Sequence, residues 1–73
     1  MAQKTLRQLR EEAGLTQEQV ARLTPLHQTH VSALERGNIP TPSIKTMRAL
    51  AGAYNLPIEA IDAALRASVI TGV

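Results

Sequence analysis

A chain of 73 residues, 44% hydrophobic and 19% charged, has room for a single domain; without cysteine it has no disulfide framework, redox pair or thiolate metal site. No run approaches the ~20 apolar residues of a membrane span, and no charged start leads into an apolar stretch with a cleavage site, so a cytoplasmic protein with no membrane contact is expected. Eight Lys and Arg against six Asp and Glu leave a net charge of +2, which permits a nucleic-acid partner without arguing for one.

Taken in chain order, residues 3–13 place Leu6, Leu9 and Ala13 at helical spacing, and Gly14 stands where a helix stops. Thr16-Gln17-Glu18-Gln19 is a capping box, in which the Thr16 hydroxyl takes an orphan backbone N–H and Gln19 reaches back. It opens a second short helix with Val20, Ala21 and Thr24 inward. A third helix spans roughly 28–36, with Val31 and Leu34 inward and Gly37-Asn38 ending it. Pro40-Thr41-Pro42-Ser43 is a turn leading into a helix start, since proline tolerates the first helical position. Ile44, Met47, Leu50, Ala51 and Tyr54 form the apolar stripe of a fourth helix, and Asn55 suits the left-handed position that ends it. Pro57 opens a fifth helix with Ile58, Ile61 and Leu65 inward. Residues 68–73 lack helical spacing and hold a β-branched run. No segment alternates as a strand should, so the expected fold is all-α, with five helices in residues 1–67 and a C-terminal tail over 68–73.

The order of residues over 5–37 carries more than the periodicity does. Thr16-Gln17-Glu18-Gln19-Val20-Ala21 followed by Val31-Ser32-Ala33-Leu34-Glu35-Arg36-Gly37 resembles the Xre/Cro-type helix-turn-helix of phage repressors and bacterial regulators. Leu6 to Leu15 match that family's first helix, Pro42-Ser43-Ile44-Lys45-Thr46-Met47 with Leu50-Ala51 its fourth, and Ile58-Glu59-Ala60-Ile61 its fifth. The resemblance implies a five-helix repressor-like domain and a buried ion pair between Arg10 and Glu35; the alternative for these two is a pair of solvated surface charges. One departure stands out. The family usually has glycine in the turn at the position of Pro25, and proline cannot adopt the positive φ that glycine supplies. Thr24-Pro25 is therefore expected to act as N-cap and first residue, starting the third helix early.

In a helix-turn-helix the second helix of the motif enters the major groove with its N-terminal part near base edges. With Val31 and Leu34 turned inward, the opposite side carries Gln28, Thr29, Ser32 and Ala33, with His27 just before the helix. Gln28 is the sharpest candidate, because a glutamine can bond adenine N6 and N7 together. Thr29 and Ala33 suit a thymine methyl, and Ser32 can bond almost any base edge. The other reading of Gln28 is a cap or a solvated side chain. Phosphate contacts are expected from Gln17 at the start of the second helix and from Arg36, Asn38, Thr41, Ser43 and Lys45 around the following loop, unless these form an ordinary solvated face.

His27 and His30 lie three apart, but no third ligand accompanies them, and neither metal nor cofactor is expected. One domain of this kind covers a half-site, so a palindromic double-stranded operator calls for a homodimer. Ile58, Ile61 and Leu65 of the fifth helix are the expected contacts, with Val69 and Ile70 of the tail adding a strand or fraying. A domain this small rarely draws more than ~3–5 kcal/mol from its core, which also favours a partner subunit. The expected function is a sequence-specific transcriptional regulator, most simply a repressor without its own ligand domain. The competing reading is an antitoxin or protein-interaction adaptor on the same fold, with a toxin as partner. An enzyme is not expected, because no nucleophile, base and pocket are paired.

Overall fold

The computed structural model describes residues 4–39 and 42–71 and shows five helices: α1 (Leu6–Glu12), α2 (Gln17–Leu23), α3 (Gln28–Glu35), α4 (Ile44–Tyr54) and α5 (Ile58–Thr71). There is no strand among the described residues, so the fold is all-α. Helix α5 packs against α1, α3 and α4, while α2 packs on α3 and α4, and α1 on α3.

Local chemistry sets most of the helix ends. Thr5 and Thr16 each form a complete capping box, with Gln8 and Gln19 respectively as the returning side chain. The Thr5 box was not anticipated, although the same Thr-x-x-Gln spacing is present in the sequence. Ser43 caps α4 by accepting the Thr46 N–H at 3.3 Å, so Pro42 precedes the cap instead of occupying the first helical position. At the C-terminal ends Gly14 and Gly37 have φ of +75° and +77°. Each closes a Schellman motif, with Leu15 N–H donating to the Arg10 carbonyl at 3.2 Å and Asn38 N–H to the Ala33 carbonyl at 3.0 Å. Asn55 ends α4 in the left-handed region at φ 57°.

The core is built from Leu6, Leu9, Val20, Leu26, Val31, Leu34, Leu50, Tyr54, Ile61 and Leu65, with small alanines at 51 and 64. Ile61 and Leu65 are fully enclosed, each contributing on the order of 1.5–3 kcal/mol by burial. They are therefore committed within the chain, and the dimer surface expected of them is not available; Ile58 is also packed against this core in part.

Three further expectations are corrected. Ile44 was placed in the α4 stripe but is 55% exposed, and Thr46 is buried in its stead, its hydroxyl beside that of Ser43 at 3.2 Å. The first helix, expected to run to Ala13, ends at Glu12, and Ala13 is its exposed C-cap. The expected tail at 68–73 is helical as far as Thr71. Its first residue, Ser68, is fully buried, donating to the Ala64 carbonyl at 2.8 Å and accepting the Leu6 N–H at 3.1 Å. The hydroxyl is satisfied inside the helix and so does not break it. With this backbone helical, Val69-Ile70-Thr71 offers no strand to a partner; the side chains of Val69 and Ile70 lie outside the described residues, as do Pro40 and Thr41.

Candidate nucleic-acid interface

The connector between α2 and α3 shows how the chain copes with proline where a glycine turn is usual. Thr24 is extended, at φ −127° and ψ 165°, the region that a following proline favours. Its hydroxyl donates to the Val20 carbonyl at 2.8 Å and accepts the Leu26 N–H at 3.3 Å. Thr24 thus closes α2 and does not open α3. Leu26 turns into the core, and α3 begins only after His27. The early helix start expected from Thr24-Pro25 is corrected on this point.

Buried Val31 and Leu34 hold α3 in place from the inner side. On the outer side His27, Gln28, Thr29 and Arg36 are exposed, while Ser32 and Ala33 are half-buried. His30 is half-buried at the flank. The N-terminus of α3 differs from those of α1, α2 and α4. Its N-cap, His27, makes no side-chain cap hydrogen bond, whereas Thr5, Thr16 and Ser43 each cap their helix. The His30 N–H donates to the His27 carbonyl at 3.0 Å, which leaves the Gln28 and Thr29 amides without a side-chain cap.

The end of α3 is held by a polar cluster. Arg10 Nε lies 2.6 Å from Glu35 Oε2 and Nη2 lies 3.3 Å from Oε1, a two-pronged ion pair whose side chains are 12% and 6% exposed. Arg10 Nη1 also donates to the Leu15 carbonyl at 2.9 Å, and Gln17 Nε2 donates to Glu35 Oε1 at 3.0 Å. The hydrogen bond to Glu35 holds the Arg10 pKa above its ordinary value, against the lowering effect of burial. Nearby Tyr54 is pushed up to about 12, chiefly by burial and further by the charge of Glu35, with Arg10 opposing. The cluster therefore joins α1, the first turn of α2 and the last turn of α3 in one rigid corner.

The residues considered for phosphate contact fall into separate environments. One amide hydrogen of Gln17 is committed to Glu35, and the Ser43 hydroxyl caps α4. Arg36, Asn38 and Lys45 are exposed, and Thr41 lies outside the described residues. Among the described residues no group of three His, Cys, Asp or Glu is placed to hold a metal ion, and no helix is long and apolar enough to cross a membrane.

The helix-turn-helix domain family matches residues 4–67, which takes in all four of the first helices and most of α5. No curated protein and no solved structure matches significantly.

Proposed function

The chain belongs to the helix-turn-helix domain family, and from that premise we propose that it is a transcriptional regulator that binds double-stranded DNA sequence-specifically through α3. The observation that carries this reading is the two-sidedness of α3. One side is locked by Val31, Leu34 and the Glu35 corner, while the other offers short polar side chains and an uncapped N-terminus to the outside. A helix so held can enter a major groove without losing its position on the domain.

Within that groove Gln28 reads adenine through N6 and N7, a contact worth ~1–3 kcal/mol of discrimination. Thr29 and Ala33 meet thymine methyl groups, Ser32 bonds a base edge, and His27 contacts a base or the adjoining phosphate. Arg36, Asn38, Ser43 and Lys45 flank the backbone, which positions the head without specifying sequence. Occupancy of an operator is enough to exclude a polymerase, so repression is the simplest outcome of this binding. One head covers one half-site, and a palindromic operator takes two copies one helical turn apart, about 34–36 Å. The contact between those copies uses surface other than Ile61 and Leu65.

Selection of duplexes from a random pool tests the reading, followed by Gln28→Ala on the enriched sequence. Enrichment of one sequence family, with base preference relaxed at one or two positions by Gln28→Ala, is the expected result. A pool that enriches nothing defeats the regulator reading. Unchanged base preference in Gln28→Ala defeats the assignment of that residue.

A further inference from the structure

The net charge of +2 is not spread over the surface. Five of the eight cationic side chains are neutralised in place: Lys4 by Glu12, Arg7 by Glu11, Arg10 by Glu35, Arg22 by Glu18 and Arg66 by Asp62. Among the described residues Arg36, Lys45 and Arg48 are left without a carboxylate partner, and all three are exposed. Among the described residues the one Asp or Glu without a cation, Glu59, lies in the first turn of α5. Among the described residues the free positive side chains thus lie at the end of α3 and on α4.

Its position on α4 is informative. Lys45 and Arg48 are three residues apart, hence on one side of the helix, opposite buried Thr46, Leu50 and Tyr54. Lys45 stands in the first turn, where the helix already presents its positive end, and that turn has no acidic residue. In α2 and α5 the same place is taken by Glu18 and Glu59. An unneutralised cation at the start of α4, reinforced by a second one turn on, is unfavourable for the isolated domain and becomes favourable when an external anion arrives.

We propose that Arg48 binds a DNA phosphate together with Arg36 and Lys45, so that the end of α3 and the outer side of α4 form the backbone clamp of the domain. The inference rests on the DNA-binding reading and adds a residue to it. The paired cations Arg7, Arg22 and Arg66 are spectators in binding, because freeing each of them costs its existing carboxylate contact.

Salt dependence separates the two groups. Log K falls by about 0.9 per neutralised phosphate per unit of log salt, so three contacts cost each bound chain about 40-fold in affinity between 50 and 200 mM salt. The measurement is fluorescence anisotropy of the full chain on its selected duplex across that range. Arg48→Ala is expected to cut the loss to about 12-fold per chain, as Arg36→Ala and Lys45→Ala do separately. Arg48→Lys keeps the wild-type slope, and Arg22→Ala and Arg66→Ala leave it unchanged. Arg48 is exposed, so thermal melting of its variants stays at the wild-type value. A wild-type slope in Arg48→Ala overturns the proposal while leaving DNA binding intact, and is the result expected if these cations instead face an acidic protein. An equal loss of slope in Arg22→Ala or Arg66→Ala also overturns it, since the charge would then act without regard to pairing. If the wild-type chain binds no duplex, the parent reading fails and this one with it.

Discussion

The Leu6 amide donates to the Ser68 hydroxyl at 3.1 Å, across 62 positions of sequence, and both residues are buried. A first-turn helix amide has no partner within its own helix, so without Ser68 this one would be enclosed and unsatisfied. Ser68→Ala removes the acceptor and keeps the packing volume nearly constant. It is expected to destabilise the domain by about 1–3 kcal/mol in urea unfolding, with faster hydrogen exchange at the Leu6 amide. An unchanged midpoint would show that water reaches the amide.

Glu35 sits between Arg10 and Gln17, with its side chain 6% exposed. Glu35→Leu strands the Arg10 guanidinium, at a cost of about 3–5 kcal/mol. That is comparable to the whole stability expected of a domain this size. The double replacement of Arg10 by Met and Glu35 by Leu is expected to lose less than Glu35→Leu alone, because no charge is then left enclosed. A double-mutant cycle on unfolding free energies measures the difference.

Tyr54 provides a pH signature. Its folded-state pKa is about 12 against an ordinary value of 10.0. Below pH 10 the phenol is neutral in both folded and unfolded chains, and the stability it supports is fully present. As pH rises through 10 toward 12, the unfolded chain ionises first and stability is lost, by about 2–3 kcal/mol in all. Tyr54→Phe is expected to flatten that part of the stability curve, read by unfolding at a series of pH values between 8 and 12.

Gly52 lies on the exposed side of α4, and a Cβ there would meet nothing within 4 Å. Gly52→Ala is expected to stabilise the domain by about 0.5–1 kcal/mol, a rise in Tm of several degrees, through helix propensity alone. Gly52 lies one turn beyond Arg48 on the same side of α4, so the gain is read by urea unfolding of the free domain.

What could be read in advance follows the range of each interaction. The Thr16–Gln19 box and the helix-ending Gly14, Gly37 and Asn55 are legible because every atom involved belongs to one turn of chain. The Thr5–Gln8 box carries the same Thr-x-x-Gln signal. The pairing of residue 10 with residue 35 is not contained in any helical period, and it came from resemblance to a family. Ile44 and Thr46 exchange roles because the roll of α4 against its neighbours, more than hydrophobicity, selects which side is enclosed. Ser68 was unreadable as core for a related reason. The β-branched run after it reads as a tail, whereas Ser68 itself continues the helical spacing of Ile61, Ala64 and Leu65 and is held by bonds to Leu6 and Ala64. On the interface, the outward set on α3 follows from the inward positions of Val31 and Leu34. The uncapped state of its N-terminus is not legible in the same way, because histidine in that position can cap or not.

The bond between Leu6 and Ser68 also orders events in time. Closing a loop of this length carries an entropic penalty that local contacts do not, so docking of α5 onto α1 belongs to the late part of folding. On a chain still being synthesised, α2 and α3 are made well before Ile61, Leu65 and Ser68 can cover Leu6. The residues of α3 are therefore made before the helix that completes the core beneath them. Until α5 arrives, the apolar side of α3 is open to any chaperone within reach.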